Sequence, residues 1–288
     1  MIVLALLHPF TRFSWLSWSI HPSTVIGLAA LGALYLWRAR DASAERPLSG
    51  WRKLSFFSAL FVIFASLNGP IHDLSDNYLF SGHMVQHLLL TLAMPPLLIA
   101  GVPGWMIRPL LRNRAIGWLA RRLTRPIACF AIFNIVIAAW HLPVLYNAAM
   151  DNHDIHIFEH LMFMASAVLM WWPLASQLPE LPRLSYPGQM LYCFLMSIPM
   201  SIVAVYITMS DHILYPAYSS APRIMALSPM EDQLLGGLIM WVPGGLIFVI
   251  IMSVVFFKWA AHGEDDTAGA QVDWKPVYDS MRARSLNA

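Results

Sequence analysis

The chain has 288 residues, of which 58% are hydrophobic and 12% are charged, and its formal net charge is +2 at pH 7. This composition leaves too few polar side chains to cover a soluble globule of this size, so we predict an integral membrane protein embedded in a lipid bilayer. Two cysteines exclude a disulfide framework. The chain has no nucleotide-binding loop, and we expect no nucleic-acid partner.

Seven apolar runs follow one another along the chain, and crossing a hydrocarbon core as a helix takes about 20 residues. They predict an all-α, polytopic membrane helix bundle of about seven transmembrane helices within residues 21–258. Residues 1–20 are predicted to be an interfacial N-terminal helix, and residues 259–288 a disordered cytoplasmic tail. The predicted spans are 21–38, 54–70, 80–106, 126–142, 157–175, 186–209 and 232–258.

The basic residues are distributed unequally between the two sides of this bundle. Of the 18 Lys and Arg residues, 16 lie in alternate segments between the predicted spans. Such segments are cytoplasmic in membrane proteins, which puts the N-terminus outside and the C-terminus in the cytoplasm. Ten of the eleven histidines then lie on the exterior side, where we expect the function to be.

Two His-x-x-x-His pairs begin the third and fifth predicted spans. His83 and His87 are four residues apart, as are His156 and His160, so each pair lies on one face of its helix, about 6 Å apart. A single pair fits a metal site and a structural role equally well; in the structural role His83 lies at the membrane interface and His87 bonds to a neighbouring helix. Two pairs at the same membrane depth favour a metal site between two facing helices.

Four converging imidazoles suit copper or zinc, and the Irving–Williams order favours copper. The thioether sulfur of Met84 is a soft donor for cuprous copper, although methionine is also a common residue of hydrophobic cores. Glu159 lies about 100° around the helix from His160. We therefore expect Glu159 to orient a histidine or accept a proton rather than to bind the ion.

Two further polar residues lie at the exterior ends of predicted spans. His141, just before Pro143, is either a fifth imidazole or a helix-terminal residue bonded to last-turn carbonyls. Asp232 begins the seventh span, where the helix dipole alone would favour an acid. The stripe that it shares with Gly236 and Met240 predicts that it faces the same cavity as the histidines.

The remaining features bear on transport. His72, in the first exterior loop, fits a metal-entry role as well as a solvated turn. Prolines interrupt three of the spans, as they do in transporters. The inner halves of the spans carry few ionisable residues, however, so no ion path across the membrane is predicted.

Taken together, these motifs resemble the CtaG-type cytochrome c oxidase assembly proteins, the caa-type oxidase assembly factors, over about residues 70–258. In chain order the motifs are His83-Met84-Val85-Gln86-His87 followed by Pro95-Pro96, Trp140-His141-Leu142-Pro143-Val144-Leu145-Tyr146, His156-x-x-Glu159-His160 with Trp171-Trp172-Pro173, and Asp232-Gln233-x-x-Gly236-Gly237-x-x-Met240-Trp241.

The resemblance implies a multi-pass protein of the bacterial inner membrane that is needed to make active haem-copper oxidase and takes part in copper handling. It also implies a set of polar positions, which is the set that the spacing selects. These positions are His83, His87, His141, His156, His160 and Asp232.

We therefore expect an assembly factor rather than an enzyme. It would hold copper in an exterior-facing histidine site and pass it to a subunit of the haem-copper oxidase, with a periplasmic copper donor as a further partner. Five imidazoles exceed the usual three or four ligands, which favours transfer. The alternatives are a haem b protein with one histidine of each pair on the iron, a metal transporter, and a structural scaffold whose histidines pair with carboxylates.

Overall fold

The computed structural model describes residues 13–16, 18–43 and 45–269, with side chains as far as residue 261. This part of the chain is helical and contains no β-strand, as predicted. Its helices are α1 Pro22–Ala39, α2 Gly50–Leu67, α3 Pro70–Asn77, α4 Phe80–Leu88, α5 Met94–Gly101, α6 Gly104–Leu111, α7 Arg114–Leu123, α8 Pro126–Trp140, α9 Pro143–Asp151, α10 His153–Ala175, α11 Tyr186–Thr208 and α12 Pro229–Gly269.

The helices of the described residues do not confirm all seven of the predicted membrane spans. Within the described residues, five are long and apolar enough to cross a membrane, and a sixth arises if α7 and α8, bent by 74° to each other, count as one. The helices at the predicted spans 21–38 and 126–142 are not long and apolar enough to cross a membrane by themselves. α8 has 15 residues, or about 22 Å at 1.5 Å each, and α1 has a polar first turn and Arg38 near its end. The five helical spans are Gly50–Leu67, Phe80–Gly101, His153–Ala175, Tyr186–Thr208 and Pro229–Ala261.

The two predicted terminal segments are only partly described. Residues 13–16 and 18–20 form a turn and coil rather than the predicted helix, while residues 1–12 and 17 lie outside the described residues. At the other end α12 continues to Gly269, so residues 259–269 prolong the last helix instead of beginning a disordered tail. Residues 270–288 also lie outside the described part.

α4 lies in the middle of the bundle and is fixed at both ends. Its first turn packs against α3 and α12, and its last turn runs into a π-helical turn, Leu89–Ala93. Pro95 and Pro96 have no N–H to donate, so the carbonyl of Thr91 has no partner in either α-helical or π-helical geometry. The indole of Trp171, on α10, donates to that carbonyl at 2.9 Å and thereby ties α4 to α10.

Close packing between α4 and α12 requires glycine. A Cβ atom at Gly236 would overlap the ring of Phe80, the first residue of α4. Phe80 is 1% exposed and stacks on Tyr215 with ring centres 4.6 Å apart. The absence of a side chain at Gly236 therefore lets the two helices approach closely enough to bury this ring.

We expect Gly236→Ala to lower the free energy of unfolding by about 1–3 kcal/mol, the usual cost of overpacking a close contact. The midpoint of thermal unfolding in detergent measures this change. Gly245→Ala, in the same helix, is the matched control because a Cβ there would meet nothing within 4 Å. Equal midpoints for the two variants would show that the Phe80 ring has room to move.

Candidate metal centre

His83 and His87 lie one turn apart on α4 and point to the same side. They are 0% and 5% exposed, and their ring centres are 4.1 Å apart. All four of their ring nitrogens are buried and have no hydrogen-bond partner among the described residues. Burying an unpartnered polar nitrogen is costly, so this arrangement calls for a ligand.

α10 supplies the second histidine pair. Asn152 caps this helix, accepting from the N–H groups of Asp154 and Ile155, so α10 begins before His156. The Nδ1 atom of His160 lies 3.1 Å from the carbonyl of His156 and must carry the proton, since a carbonyl only accepts. The Nε2 lone pair of His160 therefore remains free, and that atom is buried without a partner among the described residues.

His141 combines both roles that the sequence allowed for it. It ends α8, and its Nδ1 atom donates to the last-turn carbonyl of Ile137 at 2.7 Å. The same bond fixes the tautomer and leaves Nε2 with a free lone pair. That Nε2 atom is buried and unpartnered in the described part of the chain.

The structure brings these five histidines into one cluster, which we call the histidine centre. The ring of His87 lies 5.7 Å from His141 and 5.8 Å from His160, measured between ring centres. The ring of His83 lies 5.7 Å from His156 and 6.1 Å from His160. The α4 pair thus faces the α10 pair, and His141 closes the cluster from α8.

Two carboxylates flank the centre. Glu159, 1% exposed, has its Oε1 atom 3.9 Å from Nε2 of His87. The Oδ2 atom of Asp76, on α3, lies 3.6 Å from Nδ1 of His156. Two groups of three residues each bring one donor atom per residue within 4.8 Å of one another: Asp76, His83 and His156, and His83, His87 and Glu159. Nitrogen and oxygen donors at such separations fit a copper or zinc ion.

Asp76 lies outside the membrane-spanning helices. Burial alone would raise the pKa of its carboxyl group, but the neighbouring His72 and His156 outweigh that effect and hold the pKa well below its ordinary value. Asp76 is therefore ionised at neutral pH and provides a negative charge next to the histidine centre.

Aromatic side chains separate the centre from the rest of the bundle. Phe163, fully buried, lies below it with its ring centre 4.4 Å from that of His87. Tyr146, 1% exposed, has its ring centre 5.2 Å from that of His83, and its hydroxyl bonds to Tyr218 at 2.8 Å. Tyr215 donates to the carbonyl of His141 at 2.9 Å. These rings lower the local dielectric constant around the imidazoles.

Asp232 is buried, but the structure does not place it among the imidazoles. Its carboxylate accepts from the N–H groups of Phe80 and Ser81, at 2.8 and 3.1 Å, and from the Ser81 hydroxyl at 2.5 Å. These donors are at the start of α4, whose first N–H groups have no partner within the helix. Asp232 therefore caps α4 from a neighbouring helix. By fixing the start of α4, it fixes the position of the two histidines on that helix.

The other residues predicted for the site are divided between the core and the centre. Met84 packs against Gly236, and Met240, 2% exposed, lies in the main hydrophobic core. His72 is next to the centre, with Nε2 3.3 Å from Oδ2 of Asp76. Glu159 is at the centre itself.

Three residues of this region were missed by the sequence analysis: Asp76, His21 and His153. The His72-x-x-x-Asp76 spacing was a usable signal for the first, since it puts both side chains on one helix face. His21 lies before α1, and its ring approaches those of His72 and His153 at 4.6 and 5.9 Å. Only tertiary packing creates these contacts.

We expect Asp232→Ala to lower the free energy of unfolding by about 1–3 kcal/mol, because two buried N–H groups would lose their acceptor. Chemical or thermal unfolding in detergent measures the loss. The folded fraction should bind added copper more weakly than the unsubstituted chain but should still bind it, because the α4 histidines lose a contact that sets their direction while no proposed ligand is removed. Asp211→Ala, whose carboxylate is 97% exposed, is the control. Complete loss of copper from folded Asp232→Ala protein would restore Asp232 as a ligand.

Comparison with known proteins adds a family assignment to this geometry. The model of the cytochrome c oxidase caa3 assembly factor family matches residues 33–262. Two relatives, described as uncharacterized proteins of Mycobacterium bovis and Mycobacterium tuberculosis, are each 26% identical over 198 residues. The match covers 63% of this chain but 30% of each relative, so the chain spans less than a third of their length. No solved structure matches the chain.

Proposed function

The chain belongs to the cytochrome c oxidase caa3 assembly factor family, and we propose that it binds copper in the histidine centre and delivers it to the oxidase. The observation that carries this proposal is the convergence of five buried histidines. Their inward ring nitrogens have no hydrogen-bond partner among the described residues. Each such nitrogen costs on the order of 1–3 kcal/mol, and a bound metal ion offsets that cost.

Copper is the metal that this donor set favours. Neutral imidazoles bind copper more strongly than the other divalent first-row ions, according to the Irving–Williams order. Both cysteines of the chain, Cys129 and Cys193, lie in the hydrophobic core, so the proposed site uses nitrogen and carboxylate oxygen. His83, His87, His141, His156 and His160 are the proposed ligands, and Glu159 lies against them as an orienting or proton-accepting group.

A surplus of ligands supports delivery rather than permanent storage. Copper is usually held by three or four protein ligands, and five imidazoles converge here. An ion can then exchange one imidazole at a time for a ligand of the receiving oxidase subunit, without being fully released. We infer from this that the protein acts as an assembly factor and has no catalytic turnover of its own.

The placement of charged residues supports a periplasmic site in the bacterial inner membrane. The histidine centre lies where α4 and α10 begin and α8 ends. Arg52, at the opposite end of the bundle, contacts Gln177, and Arg108 pairs with Glu180 at 2.9 Å. Basic ends of membrane bundles face the cytoplasm, so the proposed copper donor and oxidase subunit are periplasm-facing partners.

We expect the purified, untagged chain to retain about one copper per molecule, and His87→Ala or His160→Ala to lose it. Removing a residue that only orients a ligand already lowers the metal affinity of a site about 10- to 100-fold. Removing a ligand should therefore lower the affinity at least as much. Metal analysis by mass spectrometry measures the content. Strains with these variants should assemble oxidase poorly at low copper and recover partly when copper is added.

The matched control for these variants is His212→Ala. His212 lies in the loop before α12, pairs with Asp211 at 2.8 Å, and is 70% exposed. It should affect neither copper content nor oxidase activity. Full oxidase activity of the His87→Ala and His160→Ala strains under copper limitation would rule out delivery and favour a scaffold. A Soret absorption band would instead identify a haem b protein. Copper uptake into sealed vesicles that contain the protein would identify a transporter.

Reporter fusions test the proposed orientation. Alkaline phosphatase, which is active only outside the cytoplasm, should be active when fused after Ser220, in the exposed loop between α11 and α12. The same enzyme fused after Ala288 should be inactive. The reverse pattern would place the histidine centre on the cytoplasmic side and exclude a periplasmic copper partner.

A further inference from the structure

Three more histidines lie in a row between the histidine centre and the surface. His153 is exposed, His21 and His72 are partly buried, and His156 of the centre is 6% exposed. Successive ring centres along this row are 5.9, 4.6 and 6.4 Å apart. A metal lies about 2 Å from an imidazole nitrogen and about 3 Å from the ring centre, so two rings on one ion are up to about 6 Å apart. The ring-centre distances between neighbours in this row are therefore close to the distance expected for two imidazoles on one metal ion.

Asp76 lies where the row meets the centre. Its Oδ1 atom lies 2.7 Å from the Ser75 hydroxyl, whose single proton is shared between this carboxylate and the carbonyl of His72 at 2.8 Å. Its Oδ2 atom faces Nε2 of His72 at 3.3 Å and Nδ1 of His156 at 3.6 Å. One donor atom each from Asp76, His83 and His156 falls within 4.8 Å of the others. Nε2 of His156 and both ring nitrogens of His83 are buried and unpartnered within the described chain.

We propose that Asp76, His83 and His156 form a second metal-binding position, the outer position, through which a divalent first-row metal ion such as Cu²⁺ enters and leaves the histidine centre. This inference rests on the proposed function. It adds a carboxylate ligand and an entry route to the imidazoles of the centre.

The shared histidines make a stepwise transfer feasible. His83 belongs to both groups of donors, and His156 lies 4.5 Å from His160 between ring centres. An ion at the outer position can therefore take an inner imidazole while it still holds His83. The Asp76 carboxylate supplies the negative charge that a divalent ion needs in a site with few water contacts.

His72 acts as a positioning residue for Asp76. The side-chain amide of Gln86 donates to the carbonyl of Ser66 at 2.7 Å and contacts Nδ1 of His72 at 3.3 Å. Nδ1 of His72 is therefore the acceptor, and its Nε2–H points towards Asp76. This carboxylate–histidine contact holds Oδ2 in the direction of His156.

Titration of the metal-free, full-length protein in detergent with CuCl₂, followed by electron paramagnetic resonance, tests the outer position. The unsubstituted chain should show a tight first equivalent at the histidine centre, held by His87, His141 and His160, and a weaker second one at the outer position, because His83 and His156 then leave the first ion and two cations this close repel each other. Asp76→Asn should weaken the second equivalent at least about 10- to 100-fold and the first by less, because among the five histidines of the centre Asp76 pairs with His156 alone. His87→Ala should do the opposite.

Asp73→Asn is the matched control. Asp73 lies on the same helix, but its carboxylate accepts from Ser19 at 2.5 Å, so the substitution should leave both equivalents unchanged.

If Asp76→Asn does not fold, Asp76→Glu, which keeps the carboxylate, should fold and retain the second equivalent. A second equivalent that survives in folded Asp76→Asn, or is lost in folded Asp76→Glu, would overturn the outer position. A single equivalent in the unsubstituted chain would overturn it but leave the proposed function standing, whereas no copper binding would overturn both.

Discussion

The position of the histidine centre depends on one buried carboxylate at the start of a helix. Asp232 belongs to α12, yet it accepts from the first two N–H groups of α4, which otherwise have no partner in an apolar interior. At the other end, the indole of Trp171 holds the carbonyl of Thr91. α4 is thus bonded to α12 at one end and to α10 at the other. Its rotation, and with it the direction of both histidines, is set by these two contacts.

Most of the buried side-chain atoms without a hydrogen-bond partner in the described residues lie in the histidine centre and on the adjacent Glu159. Hydroxyl groups along the helices bond to nearby carbonyls, as Thr91 does to His87 and Thr208 to Ala204. The imidazoles that face one another do not have such partners in the described part of the chain. In surroundings made of aromatic rings, this leaves ion binding as a strong stabilising interaction, so metal loading should be coupled to the rigidity of the helices that carry the ligands.

Local spacing allowed the histidines on each of α4 and α10 to be placed on one helix face, because a separation of four residues fixes the face whatever the surrounding fold. The same reasoning found the stripe that carries Asp232 but not its partners, since spacing does not tell which donors a buried carboxylate meets. Asp76 reaches the centre because the chain turns at Gly69, which has a φ of 71°, and this depends on tertiary structure. The seven predicted spans are not confirmed in the described residues: apolar content marked 21–38 and 126–142 as spans, but it does not reveal that α8 is short by itself and is bent by 74° from α7.

The π-helical turn Leu89–Ala93 has a consequence for how related chains align. A π-helical turn accommodates one residue more than the α-helical turn that it replaces, so it works as a single-residue insertion within a continuous helix. The histidine pair before it and the proline pair after it can therefore differ in separation by one residue between homologues without a change in the positions of the histidines. A one-residue gap in this stretch is a length change confined to one turn, and it leaves the histidine spacing on α4 unchanged.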